Sequence, residues 1–186
     1  MTPRVVQVRA QPIGLEAFKE FGIYARGPDR EPDWAAFGSR IEGVSEGTVS
    51  SGQTVAQLWN LGDLTFGDEI PFLGFVTYFH QGLQVAQLER HVHESQTWIA
   101  LSGTSYLVVA PPTRSGQVPD PQAAKAFVIE PGDVMAIGQG VWMCHFFPML
   151  SSADYAVVTA RRQPEQDRDL VNFMHTANAV LEIVPA

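Results

Sequence analysis

Two histidines stand two residues apart at His91 and His93, with Glu89 just before them and Gln96 just after. On an extended strand the side chains of i and i+2 share a face. A strand over 84–93 therefore places Glu89, His91 and His93 together with Val85 and Gln87, and sends Ala86, Leu88, Arg90 and Val92 to the other side. A polar face of this kind turned inward is costly unless its groups bind one another or a ligand. Imidazole and carboxylate at this spacing suit a divalent cation or proton transfer near neutral pH. Turned outward, the pair is a hydrogen-bonded surface feature. Arg90, with the opposite parity, is expected in a salt bridge rather than on a substrate.

The elements that must hold these groups read as short strands separated by turns. After a first strand at Val5–Val8, candidates run over 55–61, 72–80, 84–93, 97–101, 105–109, 127–129, 134–137, 143–147 and 155–160. Gln81-Gly82, Ser102-Gly103, Pro131-Gly132-Asp133 and Gly138-Gln139-Gly140 mark the turns between them. The apolar runs are short, β-branched or aromatic and cut by Gly and Pro, which excludes a helical reading and predicts an antiparallel sandwich or barrel. Helical trimmings are expected at Leu15–Gly22, where Phe18 and Phe21 share a face, in a capped turn after Asp120, and in a closing helix over 167–181 carrying Leu170, Phe173 and Met174. A surface segment around 26–56, rich in Gly, Pro, Ser and charge, holds one expected capped turn at Asp33–Phe37.

The whole chain of 186 residues, 45% hydrophobic, suits one domain with a real core. A net charge of −8 argues against nucleic acid and anionic membrane surfaces as partners. One cysteine, Cys144, gives no disulfide framework. No window reaches the roughly 20 apolar residues of a membrane span, and the N-terminus lacks the apolar stretch of a signal peptide. A cytoplasmic protein is expected.

The His-x-His pair, a polar residue shortly after it, and Gly132 followed by Gly138-x-Gly140 leading into a strand resemble the two motifs of the cupin superfamily. That resemblance implies an all-β, jelly-roll barrel whose two motifs converge on one divalent metal. Gln96 stands nearest the slot of the first motif's Glu, and Met143 stands where the second motif has its His, with His145 two residues on. His91, His93 and His145, with the Gln96 amide, would suit Zn, Ni or Fe, or Mn, with a position open for substrate. A homodimer is expected by analogy with such barrels.

Leu15–Gly22, Leu88-Glu89-Arg90-His91 with Ser95-Gln96-Thr97-Trp98-Ile99-Ala100-Leu101, Ala126–Ile129, Gly140-Val141-Trp142, and Ala153-Asp154-Tyr155 ending at Arg161 are similar to the ureidoglycolate lyase (ureidoglycolate hydrolase) family. Segment 26–56 then reads as a divergent insertion, and His93 and Met143 as departures from the family pattern. The resemblance implies cleavage of ureidoglycolate, a small ureido hydroxy acid, to glyoxylate and urea in purine catabolism. His91 or Glu89 would be the base, Gln96 would donate to the urea oxygen, Arg161 would hold the carboxylate, and Trp142 and Tyr78 would line the cavity. Two other functions stay open at this point: a metal-binding cupin acting on another small acid, and a non-catalytic cupin that binds a small ligand.

Overall fold

In a computed structural model the described residues are 2–26, 47–51, 54–58, 64, 66, 69–160 and 168–186, with 47–51 and 54–58 described by their backbone alone. Strands are numbered in chain order. The larger sheet has the spatial order β14 (Arg168–Asn172), β7 (Gln87–His91), β12 (Trp142–Pro148), β9 (Ser105–Ala110), β10 (Lys125–Ile129), β1 (Arg4–Pro12), β15 (Ala179–Val184) and β6 (Gln84–Val85). The smaller has the order β2 (Gly22–Arg26), β11 (Asp133–Ile137), β8 (Gln96–Ser102), β13 (Ser152–Ala160) and β5 (Pro71–Phe79). Pairing is antiparallel except where β1 runs parallel to β10 and β15. A separate hairpin joins β3 (Gly47–Ser51) to β4 (Thr54–Leu58).

Period-2 alternation builds two cores from the larger sheet. Leu107 and Val109 of β9, Phe127 and Ile129 of β10, and Met143 of β12 point toward the smaller sheet, where they meet Trp98, Met135, Tyr155 and Val157. Tyr106, Val108, Ala126 and Trp142 point the other way and pack with Val8, Leu88, Val171, Phe173, Leu181 and Ile183. Each large side chain so buried contributes about 1.5–3 kcal/mol, and burial on both faces explains why β9 has no polar side beyond Ser105. The two curled sheets form the all-β, mainly antiparallel barrel expected from the strand pattern, of the cupin type that the motif resemblance implied.

One irregularity matters for the site. Between Cys144 and Phe147, β12 carries one residue more than its partner β9, a β-bulge. Cys144 and Phe147 belong to the outer core and Phe146 to the inner one. The extra residue thus lets His145 and Phe146 both turn inward.

The helical expectations needed correction. The first helix, α1, covers only Leu15–Phe18; Phe18 and Phe21 are nevertheless fully buried against Phe127. The chain leaves α1 through Gly22 at φ +151°, where a Cβ would lie 1.9 Å from the Ala136 carbonyl oxygen, so only glycine fits. No long closing helix forms. Residues 168–172 and 179–184 are strands, and helix α2 is confined to Phe173–Thr176, capped by the Asn172 side chain. The Leu170/Phe173/Met174 spacing misled because Leu170 lies exposed on β14 and only Phe173 is buried. The alternation Ala179-Val180-Leu181-Glu182-Ile183-Val184, aligned with Arg4–Arg9, carries the strand signal there. The Asp120 cap is present, accepting from the Gln122 amide ahead of a short 3-10 turn. The expected turn at Asp33–Phe37 and residues 59–61 of the expected strand lie outside the described residues.

Candidate active site

The chain crosses from the larger sheet to the smaller one between β7 and β8, and the candidate site is built on this corner. The extended run that the sequence suggested over 84–93 stops at His91, and residues 92–95 bend across the gap. The Gly138–Gly140 turn clamps the end of β7: the Gly140 amide donates to the His91 carbonyl at 2.7 Å, and Gln139 Nε2 donates to the Val92 carbonyl at 2.5 Å. Gly140 has φ +77°, a left-handed conformation that glycine adopts without strain. The two glycine- and histidine-bearing motifs are therefore physically joined.

Glu89 and His91 share the inward face of β7, as their parity required. His145 Nε2 donates to Glu89 Oε1 at 3.0 Å, His91 Nε2 lies 3.9 Å from the same oxygen, and Arg168 Nη1 of β14 donates to Glu89 Oε2 at 3.1 Å. Tyr78 of β5 stacks on the His145 ring at 5.6 Å, and Trp98 meets it edge-on at 6.0 Å. Burial alone would push the Glu89 carboxyl up, but the His145 hydrogen bond and the electrostatic attraction of the His145 and His91 imidazoles outweigh it and hold the group well below the usual carboxylate range. Glu89 is thus an anion that organises two imidazoles and is a poor proton acceptor. Burial, reinforced by the Glu89 charge, pushes the Tyr78 phenol far up, so it persists as a neutral O–H donor.

The bend supplies a second carboxylate that parity did not reveal. Glu94 is only 2% exposed. Its Oε1 lies 3.3 Å from His91 Nδ1 and accepts from the Thr159 hydroxyl at 2.7 Å; its Oε2 accepts from the Ala160 amide. Burial is again the largest single influence on this carboxyl, raising it, and the His91, Thr159 and Ala160 hydrogen bonds together reverse the sign. A buried carboxylate satisfied by three donors is a built feature, and the signal for it was an acidic residue three positions after His91.

The other expected residues divide. Gln96 is buried on β8, with Nε2 donating to Thr159 Oγ1 at 3.2 Å. The Thr159 hydroxyl proton is committed to Glu94, which fixes the amide orientation and leaves Gln96 Oε1 buried without a hydrogen-bond partner among the described residues. The side chain supports Thr159 and, through it, Glu94. Replacing Gln96 by Met removes one hydrogen bond together with one orphaned acceptor, so stability is expected to change by under about 1 kcal/mol, measurable by chemical denaturation. Trp142 does not wall the barrel. It has the opposite parity to Met143, packs in the outer core, donates Nε1–H to Thr113 Oγ1 at 3.0 Å and carries Arg90 4.6 Å over its ring. Arg90 itself pairs with Asp169 at 2.7 Å, as its parity suggested. Arg161 lies outside the described residues; the guanidinium beside Glu89 belongs to Arg168, which sequence reasoning passed over.

The histidine triad drawn for a metal is not assembled. His93 follows the end of β7 and is exposed, because strand parity ceases at His91. Met143 is buried in core packing, and the His145 and Glu89 atoms face each other. Among the described residues no group of three or more His, Cys, Asp or Glu stands so as to hold a metal ion. His91, His93 and His145 thus do not stand as the metal group that the sequence suggested.

Because both glutamates are held below the ordinary carboxyl value of 4.5 in the folded chain, the unfolded chain takes up protons first as pH falls below it. Their stabilisation is present above that pH and is lost below it. The melting temperature should therefore fall as pH drops from about 5 to about 3, with a shallower slope in Glu94→Gln. An unchanged slope in both Glu94→Gln and Glu89→Gln would contradict this origin.

Comparison with known proteins adds family information to this geometry. The family model described as Ureidoglycolate lyase matches residues 5–182. "Ureidoglycolate lyase 2" of Rhizobium meliloti (strain 1021) is 34% identical over 76 residues, 41% of this chain and 45% of that protein, so the match spans under half of the relative's length. Among solved structures, a dTDP-6-deoxy-D-glucose-3,5-epimerase from Legionella pneumophila aligns at TM-score 0.45 and 13% identity, over 70% of this chain and 72% of that one. Oxalate decarboxylase of Bacillus subtilis, described with Mn(II) centres, aligns at TM-score 0.38 and 14% identity, over 56% and 24%. Among the described residues no helix is long and apolar enough to cross a membrane.

Proposed function

From the premise that this chain belongs to the ureidoglycolate lyase family, we propose that it cleaves ureidoglycolate to glyoxylate and urea, with His91 as the proton-transfer group. The observation that carries the reading is the Glu94–His91–Glu89–His145 row, which holds an imidazole between two ionised carboxylates at the barrel corner.

The reaction needs little more than a well-placed proton carrier and charge control. His91 takes the proton of the C2 hydroxyl. The O–H electron pair becomes the aldehyde C=O, the C–N bond breaks, and its electron pair leaves with the ureido nitrogen. That nitrogen takes the proton back from His91, so the net change is one proton moved from oxygen to nitrogen. Imidazole serves because it exchanges protons near neutral pH; Glu89, held strongly acidic, stabilises the transient imidazolium instead. Arg168, at the same carboxylate, is the cation proposed to take the substrate carboxylate, and Arg161 is a second candidate from sequence. The neutral Tyr78 hydroxyl is a donor for the substrate's oxygens. No step is routed through a metal.

The test is a panel of small ureido and hydroxy acids offered to the purified protein, with glyoxylate as the readout. Turnover of ureidoglycolate above the others is expected. Thermal stabilisation by a ligand with no turnover would favour the small-ligand-binding alternative.

We also propose a cytoplasmic homodimer without nucleic-acid or membrane partners. The support for the dimer is edge strand β5, whose outward Leu73, Phe75 and Phe79 are 66–77% exposed. Light scattering should give twice the chain mass, and Phe75→Asp should shift it to one; a monomeric native protein would remove the proposal.

A further inference from the structure

We infer that Glu94 is a positioning residue which fixes the tautomer of His91, keeping the proton on Nδ1 so that Nε2 is the atom that exchanges protons with substrate. The inference rests on His91 as the proton-transfer group and adds to it a residue that no sequence pattern assigned.

The geometry separates the two ring nitrogens. Nδ1 is 3.3 Å from Glu94 Oε1, within hydrogen-bond reach, whereas Nε2 is 3.9 Å from Glu89 Oε1, beyond it. Both Glu89 oxygens already accept from others, Oε1 from His145 and Oε2 from Arg168. The Arg168 guanidinium therefore balances the Glu89 charge, and His91 need not be protonated on both nitrogens for that purpose. Glu94 differs from Glu89 in being almost wholly enclosed, and the Nδ1–H of His91 supplies the cationic or dipolar partner that its enclosure demands. The carboxylate is itself immobilised. The Ala160 amide holds Oε2, and Thr159 holds Oε1 while receiving the Gln96 amide. Two strands, β13 and β8, thus converge on one acceptor, and that acceptor meets His91 at the atom remote from Glu89.

Gln96 gains a role from this chain. Its N–H group lies three hydrogen bonds from the His91 ring and keeps the Thr159 hydroxyl rotated toward Glu94. Positioning through another side chain, rather than contact with substrate, is the part assigned to Gln96, Thr159 and Glu94 alike.

The isosteric variant Glu94→Gln discriminates this role from a structural one. The Ala160 amide needs an acceptor at the Oε2 site, so the new carbonyl oxygen must sit there and the new NH2 must face His91. An NH2 group donates, so it forces Nδ1 to accept and moves the ring proton to Nε2. Packing and the Ala160 hydrogen bond survive, while the tautomer inverts.

The experiment is nitrogen-15 NMR of the five histidines at neutral pH, without substrate, with His91 assigned by its loss in His91→Gln. In the wild type, His91 is expected with a protonated Nδ1 and a bare Nε2. In Glu94→Gln the pattern should invert, with kcat reduced roughly 100- to 10,000-fold and KM changed little; Glu94→Asp should restore the wild-type tautomer and part of kcat. A wild-type His91 that is doubly protonated, or protonated on Nε2 alone, overturns the inference whether or not any variant folds. A folded Glu94→Gln that keeps the wild-type tautomer and kcat overturns it as well. Because the spectra require no substrate, failure of the ureidoglycolate reading and failure of this inference are separable.

Discussion

His91→Ala is expected to lower kcat for ureidoglycolate by roughly 100- to 10,000-fold while leaving the barrel folded. The backbone of residue 91 is held independently of its side chain, since its carbonyl accepts from Gly140 and β7 is paired on both sides by β12 and β14. Loss of the ring deprives Glu94 of one donor, but the Thr159 and Ala160 donors remain. One lost hydrogen bond to a charged group is worth about 1.5–3 kcal/mol, which a domain of this size should survive. The chemistry, by contrast, loses the group that carries a proton from oxygen to nitrogen. His91→Gln sharpens the point: its amide can still donate to Glu94, yet it cannot accept a proton. Steady-state kinetics beside circular dichroism should show both variants folded and both nearly inactive. Full activity in a folded His91→Gln would remove His91 from the proton-transfer role.

The largest effect on stability is expected from Phe146→Ala. Phe146 occupies the inward bulge position and is 4% exposed. It stacks on Tyr155 at 3.8 Å between ring centres and meets Trp98 and Tyr78 edge-on at 5.3 and 5.4 Å. Truncation removes the ring and leaves a cavity that the surrounding strands close only in part, a loss of about 3–5 kcal/mol. For a chain of this length that corresponds to a fall in melting temperature of roughly 6–20 °C. The site should suffer too, because Tyr78, which packs on His145, loses one of its supports. Activity measured well below the melting point should therefore drop more than folding alone explains. A fall under about 1 kcal/mol would mean that the bulge is not the packed keystone its contacts suggest.

Much of the fold was legible because most of its strands obey period 2. Leu107 and Val109 against Tyr106 and Val108, or Met143 against Trp142 and Cys144, sort into two cores by parity alone. Parity also put Glu89 and His91 on one face and Arg90 on the other. It failed where the backbone departs from a strand. His93 lies beyond the end of β7, so its i+2 relation to His91 has no geometric meaning. Glu94 lies in the bend, where side-chain direction is set by the crossover between sheets rather than by alternation. His145 lies inward with Met143, two residues before it, as alternation gives, but Phe146 turns inward beside it only because of the bulge, and a bulge leaves no mark in a run such as Trp142–Pro148. Arg168 was hidden for another reason. A helical spacing downstream drew the whole 167–181 segment into one helix, whereas pairing with β7 makes it a strand and brings the guanidinium to Glu89. Long-range pairing, not local pattern, decided that segment.

The position of Gln96 shows how alignment on a strand gives a motif residue its place while distant partners set its hydrogen bonds. Its strand and inward face follow from alternation with Trp98 and Ala100. Its hydrogen-bond direction follows from Thr159, which is far away in sequence, and through Thr159 the side chain braces the Glu94 carboxylate behind His91.

The most direct test of C–N cleavage by proton relay is the nitrogen inventory of the reaction with ureidoglycolate. Glyoxylate and urea released in equal amounts, with no ammonia and with both products lost together in His91→Gln, is the predicted result. Ammonia in place of urea, or equal amounts of glyoxylate and urea from a folded His91→Gln at the wild-type rate, would contradict it.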